Sequence, residues 1–236
     1  MRIAVGLSLS ALLALGCDQG PGASGPMEVG GTVTSLSPGS AQPPLLSLIW
    51  IYDEGMGDQA LGGGGTAVPA ALPAKFSFTV QPPQHYWVDF DDLRALPSCT
   101  DHDPPDTRCW PADRARILGH GKLAVGGFAV FDDADGNGQY TDKPMRETLR
   151  GLSSLFVLYA QDLDAQATKE LGDLMILNAG SLHPGFNFAR VRCKDQVGWK
   201  GGFDPFEVVP EQPITVESLE AQSARMATHE LCNNWS

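Results

Sequence analysis

Short apolar segments separated by glycine and proline are the feature that most constrains how this chain can fold. The clearest covers residues 75–80, in which Phe76, Phe78 and Val80 alternate with polar residues, as side chains do on one face of a β-strand. Continuous apolar runs elsewhere are typical of strands that are buried on both faces. The pattern predicts strands over residues 31–36, 45–52, 75–80, 85–90, 122–131, 154–160, 186–192, 206–209 and 214–216.

The predicted strands do not alternate with helices, which disfavours a parallel α/β sheet. Only residues 164–171 and 217–231 have the composition of helices, and residues 53–73, with four consecutive glycines, are predicted to form a loop. We therefore expect a mainly β protein, an antiparallel β-sandwich of the Ig-like type with one or two short helices. Residues 29–236 would form one such domain, and two smaller sandwiches divided near residues 91–113 are the alternative.

The N-terminal segment has the composition of an export signal. Arg2 precedes an apolar run over residues 3–15, which is shorter than the ~20 apolar residues that a membrane-spanning helix needs. Gly16 and then Cys17 follow the run. This arrangement resembles the signal peptide of bacterial lipoproteins, which implies cleavage of residues 1–16 and acylation of Cys17, palmitate included. A secretory signal without a lipid is the alternative.

The resemblance to lipoproteins implies a location outside the cytoplasm and a lipid bilayer as a partner, held through acylated Cys17. Residues 17–28 are rich in Gly, Pro and Ser and are expected to form a flexible tether between the lipid and the domain. Asp18 marks retention at the inner membrane in enteric-type bacteria. That rule does not extend to other lineages, and an outer membrane or cell surface is the location we expect.

The balance of charge is acidic, with 28 Asp and Glu against 16 Lys and Arg and a net charge of −12. An acidic surface repels phosphate groups, so nucleic acid and anionic lipid surfaces are disfavoured as partners. The same charge is compatible with cation binding or with solubility alone.

Five cysteines are present, and four remain if Cys17 carries lipid. An even number of cysteines in an exported chain predicts two disulfides. Cys99 and Cys109 flank a short polar segment, so a local bond between them is the simplest prediction, and Cys193 then pairs with Cys232. A zinc site is the rival, but the chain has no C-x-x-C pair.

Residues 132–142 contain the pattern that points most clearly to a cofactor, a turn with alternating acidic and amide side chains. With Asp133 at the first position of a calcium loop, the sixth position falls on Gly138, where such loops need glycine for a sharp turn. Calcium binds about six to eight oxygens, and alternate residues of such a turn direct their oxygens to one point. The predicted ligands are Asp133, Asp135, Asn137, Gln139 through its backbone carbonyl, and Asp142.

This run resembles the D-x-D/N-x-D/N-G core of EF-hand and dockerin loops, but a predicted strand enters it and Pro144 stands where their bidentate Glu belongs. It is more similar to the calcium loops of β-sandwich repeats in bacterial surface adhesins, where Glu147 and Gly151 match the Glu and Gly that follow. The resemblance implies a structural calcium ion. Tyr140 is expected to turn its ring into the core, and a hairpin turn that binds no ion is the alternative.

No recognised catalytic motif accompanies this loop. The chain has neither H-E-x-x-H nor G-x-S-x-G, and His120, between two glycines, is the histidine to test first for catalysis. We therefore expect a non-enzymatic lipoprotein that binds an envelope protein or a glycan, or acts as a scaffold. An exported hydrolase is one alternative. A carbohydrate-binding module is the other, with sugars stacking on Trp87, Trp110, Trp199 and Trp235.

Overall fold

The computed structural model describes residues 25–40, 43–53, 58–98, 118–140, 147–198 and 204–227, with side chains except at 52, 53, 58–63, 194, 195, 226 and 227. The strands in these residues are β1 (Met27–Val33), β2 (Leu45–Asp53), β3 (Asp58–Ala67), β4 (Ala74–Val80), β5 (Val88–Asp89), β6 (Lys122–Phe131), β7 (Leu149–Gln161), β8 (Gly185–Val191), β9 (Phe206–Val209) and β10 (Ile214–Ser218). The helices are α1 (Phe90–Ala95), α2 (Ala165–Leu174), α3 (Lys194–Val197), α4 (Leu219–Ala227) and a 3-10 turn (Ala179–Ser181). None of the described helices is long and apolar enough to cross a membrane.

Seven of the strands follow one another around a nearly closed sheet, in the order β3-β2-β6-β7-β10-β1-β4. The two ends of this path are in contact, and a Cβ on Gly64 of β3 would lie 2.5 Å from the carbonyl oxygen of Thr79 in β4. β1 and β10 run parallel, and the other pairs along the path are antiparallel. The prediction of a mainly β protein is confirmed. An antiparallel Ig-like sandwich is not confirmed, because the sheet is mixed and almost closes on itself.

The inner face of this sheet surrounds the main hydrophobic core. The rings of Trp50, Tyr159 and Phe186 meet there, and their centroids lie between 4.9 and 6.5 Å apart. Phe128 is completely buried beside Phe78 of β4. Because side chains alternate along a strand, the residues between these core positions point outward and need a second layer to cover them.

That second layer includes α2, together with Phe90 of α1 and the residues that follow α2. Ala167 and Leu171 of α2 are completely buried against outward-facing residues of β6 and β7. The carboxylate of Asp164 begins the helix by accepting a hydrogen bond from the backbone N–H of Ala167 at 2.6 Å, which lowers the pKa of Asp164. Helix and sheet together therefore bury the apolar strands on both faces, as continuous apolar runs require.

β7 has two different partners on one of its edges. Its other edge pairs with β6 along most of its length, whereas on this edge residues 151–153 pair with β10 and residues 155–160 pair with β8. β8 pairs in turn with β9. β8 and β10 diverge from each other, and the sheet therefore forks at β7.

The loop predicted over residues 53–73 is wrong over residues 58–67, and residues 54–57 lie outside the described residues. Those ten residues, 58–67, form β3, which pairs antiparallel with β2 through a register shift between Ser47 and Ile49. Glycine here allows the two backbones to approach, since a Cβ on Gly65 would lie 2.5 Å from the carbonyl oxygen of Leu46. The run of glycines therefore marks close packing of one strand on its neighbours.

The strand predicted over residues 85–90 is largely wrong. Only two residues pair, as β5, and α1 begins directly after them. The carboxylate of Asp89 accepts hydrogen bonds from the backbone N–H groups of Asp91 and Asp92, at 3.1 and 3.3 Å. This N-cap starts a helix where the aromatic residues alone favoured a strand. The strands predicted over residues 122–131 and 206–209 have the predicted bounds, and the other predicted strands and both predicted helices are present with different ends. Residues 228–231 of the second predicted helix lie outside the described residues.

Gly31 lies where β1 meets β10, and a Cβ there would overlap the carbonyl oxygen of Ile214. A Cβ on the adjacent Gly30 would have only the carbonyl oxygen of Phe76 nearby, at 3.4 Å. We expect Gly31→Ala to lower the free energy of unfolding by about 2 kcal/mol, because the parallel pairing must open. The matched Gly30→Ala should change it by less than about 0.5 kcal/mol. Urea unfolding followed by tryptophan fluorescence measures both, and equal effects would contradict the packing of β1 on β10.

Glu207 of β9 joins two arginines, Arg190 of β8 and Arg192 just beyond it. Its Oε2 accepts their hydrogen bonds at 2.8 and 3.0 Å, and the bond from Arg190 is the main cause that lowers the pKa of Glu207 below its ordinary value of 4.5. A carboxyl whose pKa is lowered by folding stabilises the fold above its unfolded pKa, and this contribution is lost as the pH falls through the folded value.

We therefore expect Glu207→Gln to lower the unfolding temperature at neutral pH and to match the wild type once the pH is well below 4.5. Thermal unfolding followed by circular dichroism over a series of pH values measures the difference. A difference that stayed constant from neutral to acidic pH would show that the ion pairs do not contribute.

Candidate metal site

The loop between β6 and β7 contains the acidic pattern found in the sequence, and its own side chains shape it. The backbone N–H of Asn137 donates to the carboxylate of Asp135, and the N–H of Gly138 donates to the carboxylate of Asp133, both at 3.0 Å. Gly136 and Gly138 have φ angles of 70° and 75°, the left-handed region that glycine adopts without strain. The loop therefore folds through a series of turns closed by acidic side chains.

Three carboxylates meet in this loop, those of Asp133, Asp135 and Glu147. One oxygen from each lies within 4.8 Å of the other two. Calcium–oxygen distances are about 2.3–2.6 Å, so oxygens on opposite sides of an ion are about 5 Å apart. The cluster has the dimensions of a site for a hard divalent cation.

The charges of this cluster are partly withdrawn from water. Glu147 is 4% exposed, and its Oε1 accepts a hydrogen bond from the backbone N–H of Ala134 at 3.0 Å. Oδ1 of Asp133 is buried and has no hydrogen-bond partner within the described part of the chain. A buried carboxylate oxygen without a donor is costly, and neighbouring negative charges raise the cost. A cation between the three carboxylates would remove both penalties.

The neighbouring acid, Asp132, belongs to a separate network that fixes the loop to the sheet. Its Oδ1 lies 3.2 Å from the guanidinium of Arg150, and its Oδ2 accepts a hydrogen bond from the backbone N–H of Ser40 at 2.7 Å. Arg150 also donates to the carbonyl oxygen of Ser37 at 2.9 Å. One arginine of β7 thus joins the start of the acidic loop to the connection between β1 and β2.

The structure brings together only part of the predicted ligand set. Asp133 and Asp135 belong to the carboxylate cluster. The side chain of Asn137 is engaged within the loop, since its Nδ2 donates to Asp135 at 2.7 Å and its oxygen accepts from the N–H of Gln139 at 2.6 Å. Asp142 lies outside the described residues. Roles for Asn137, Asp142 and the carbonyl of Gln139 as ligands stay predictions.

Glu147 is the candidate ligand that calcium-loop numbering alone misses. It stands three positions beyond Pro144, the twelfth residue of the loop when Asp133 is the first. The sequence feature that points to Glu147 is the resemblance to adhesin repeats, in which a Glu precedes the next strand. Tyr140 behaves as predicted, because its ring packs against Phe131 with centroids 5.4 Å apart.

Cys193, just after β8, forms a disulfide bond. The other four cysteines, Cys17, Cys99, Cys109 and Cys232, lie outside the described residues. The pairing of Cys193 with Cys232, the bond between Cys99 and Cys109, and the lipidation of Cys17 stay predictions.

His120 lies at the opposite end of β6 from the acidic loop. Its Nδ1 is 2.8 Å from the carboxylate of Asp91, and its Nε2 contacts the guanidinium of Arg94. Both ring nitrogens therefore have partners on α1. The ten residues of β6 separate His120 from Asp133 by about 30 Å, so these two groups do not share a cleft.

The described tryptophans do not form a sugar-binding platform. Trp50 is buried in the core, and Trp87 is half-buried and packs edge-on against Phe206, with centroids 6.3 Å apart. Sugar stacking needs exposed, flat indole surfaces. Three tryptophans lie outside the described residues: Trp110, Trp199 and Trp235.

No known family model matches this sequence, and no curated protein or solved structure is significantly similar to it. We therefore infer a function from the residues of the candidate metal site.

Proposed function

We propose that this protein is an exported lipoprotein whose β domain holds one structural calcium ion and has a binding or scaffolding role in the cell envelope, without catalysis. The observation that carries the calcium site is the cluster of Asp133, Asp135 and Glu147, in which Oδ1 of Asp133 is buried without a partner. Carboxylates are the hard oxygen ligands that calcium prefers. The spacing of acids and glycines in the loop supports the same ion.

The calcium ion acts on the fold in this proposal. Asp133 closely follows the end of β6 and Glu147 closely precedes β7, so an ion between them ties two paired strands together at one end of the sheet. Without a cation the three carboxylates repel one another. Through Asp132 and Arg150, the same loop is joined to the connection between β1 and β2. Calcium would therefore stabilise this end of the domain as a unit.

The relationship to adhesin repeats is proposed for the loop alone. In both cases a strand leads into the acidic turn and a second strand leaves it. In adhesins an Ig-like sandwich surrounds such loops. The mixed, nearly closed sheet of this protein does not support that architecture here.

Export and anchoring are supported by the N-terminal segment and by cysteine chemistry. Residues 1–16 have the composition of an export signal, and Cys17 is the acyl acceptor. The disulfide of Cys193 is a bond that persists in oxidising compartments outside the cytoplasm. Extracellular calcium modules work with dissociation constants of about 10⁻⁴–10⁻³ M, so a site of modest affinity would be filled there.

Asp133→Asn removes one charge from the cluster and keeps the shape of the side chain. We expect calcium to stabilise the wild type, by about 2.7 kcal/mol at a hundredfold excess over the dissociation constant, and to stabilise the variant far less. In EDTA we expect the variant to be more stable than the wild type, because it has lost a buried, unpartnered charge. Calorimetric titration with calcium and thermal unfolding in calcium and in EDTA measure these effects.

The matched control is Asp173→Asn, which neutralises an exposed acid on α2 and should respond to calcium as the wild type does. If calcium stabilised Asp133→Asn as strongly as the wild type, or stabilised neither, the loop would be a hairpin turn without an ion.

Cys17→Ser tests the lipid anchor. The variant keeps the export signal but lacks the thiol that accepts the lipid, so we expect the protein to move from the membrane fraction to the soluble fraction. Asp18→Asn, which keeps Cys17, should remain in the membrane fraction. Fractionation after washing without detergent measures the distribution, and retention of Cys17→Ser on the membrane would refute acylation as the anchor.

A further inference from the structure

An open pocket of about 610 Å³ lies where the sheet forks. We call it the fork window, and its lining includes Val29, Gly30, Phe76, Phe188, Gln212 and Pro213. β8 and β10 both pair with β7 and then diverge, and the other edge of β8 pairs with β9, so no described strand joins the β8–β9 branch to the first half of β1. The fork window is the resulting opening in the nearly closed sheet.

One edge of β1 is only partly covered by a neighbouring strand. β4 pairs with all seven residues of β1, whereas on the other edge the pairing with β10 begins only at Gly31. β10 starts at Ile214, the partner of Gly31, and the residues just before it, 211–213, line the pocket without belonging to a strand. The first four residues of β1 therefore present an open edge to the fork window.

Specific backbone groups of β1 point towards this opening. The N–H of Thr34 donates to the carbonyl oxygen of Val216 in β10 at 2.9 Å, so the backbone groups of Thr34 lie on the β10 side. Backbone groups alternate between the two edges along a strand. The N–H of Gly30 and both backbone groups of Glu28 therefore face the fork window, beyond the first residue of β10. An added strand would supply the hydrogen bonds that such an edge offers.

The side chains of the fork window are apolar towards the core and charged at the rim. Phe188 is buried, and Phe76 is half-buried beside Phe78, with centroids 5.9 Å apart. Lys75 and Glu211 line the same pocket, and both are exposed. The site thus combines open backbone groups, an aromatic slot and two rim charges of opposite sign.

We propose that the fork window binds an extended polypeptide segment of a partner protein, which pairs with the open edge of β1 and inserts an apolar side chain between Phe76 and Phe188. Addition of a strand to a sheet edge is a recurring mode of peptide recognition, in which pockets for alternate side chains give specificity. The rim selects a segment with an acidic residue for Lys75 and a basic residue for Glu211. The net charge of −12 disfavours a wholly acidic segment.

The fork window and the acidic loop lie at opposite ends of β1. Beyond the C-terminal end of β1, the carbonyl oxygen of Ser37 bonds to Arg150, whose side chain also holds Asp132 at the start of the loop. The fork window instead faces the N-terminal half of the strand. The inference rests on the proposed binding role and not on calcium or lipid, so a failed peptide test leaves the calcium and membrane tests unaffected.

The first test selects binders of the full chain from a displayed library of random linear peptides. Selected peptides are synthesised and titrated against the wild type and two variants. Gly30→Pro removes the N–H that faces the fork window and leaves the hydrogen bonds between β1 and β4, so we expect binding to weaken about tenfold or more. Gly172→Ala on α2 lies outside the fork window, where a Cβ would meet only the side chain of Ala179 at 3.6 Å, and should bind as the wild type does. Equal affinity for all three proteins overturns the proposal.

A second test does not depend on the folding of a variant. Backbone N-methylation of the peptide at the positions that face β1 should abolish binding, and methylation at the alternate positions should not. Amide hydrogen exchange of Glu28 and Gly30 should be faster than that of Val29 in the free protein and should slow when the peptide binds. The proposal is overturned if no peptide is enriched, if both methylation patterns act alike, or if a second copy of the chain occupies the edge, seen as a dimer that Gly30→Pro dissociates.

Discussion

The rest of the structure depends on the way β7 divides one of its edges between two strands. Each position on a strand edge bonds to one neighbour, so β10, which takes residues 151–153, and β8, which takes residues 155–160, must part. One branch continues through β10, β1 and β4 and almost closes the sheet. The other branch, β8 and β9, extends the surface that α2 covers. The fork window is the space that remains between the two branches.

Two adjacent acids at the other end of the domain show how burial decides the role of a charge. Asp132 is compensated by Arg150 and by the N–H of Ser40, so its burial fixes the loop in place. Asp133 is one residue further, and one of its oxygens is buried with no donor, next to the carboxylates of Asp135 and Glu147. A compensated carboxylate and one with an unpartnered oxygen can therefore be neighbours in the chain, because successive side chains face different surroundings.

Much of the fold could be predicted from local patterns, and the failures have local physical causes. The alternation in β4 and the apolar runs of β6 and β7 identified strands. A strand that is buried on one face alternates apolar and polar residues, and a strand that is buried on both faces is apolar throughout. The four glycines at residues 62–65 were mistaken for a loop, since close approach of two backbones leaves no apolar side chain to detect. At Asp89, a capping carboxylate replaced a predicted strand with a helix. In the candidate site, Asp133 and Asp135 follow from spacing, whereas the place of Glu147 depends on where β7 begins.

The sequence by itself determined that this chain is mainly β, that Asp133 and Asp135 share a tight acidic turn, and that Tyr140 packs inward. These properties depend on spacing along one strand or turn, which the chain encodes within a few residues. Only the tertiary structure decided that β1 runs parallel to β10, that the sheet forks, and that Oδ1 of Asp133 is buried without a donor. These properties depend on contacts between residues far apart in the chain, for which no local pattern exists. The open edge of β1 is such a case, since it is set by the point at which β10 begins to pair, at Ile214, more than 180 residues away.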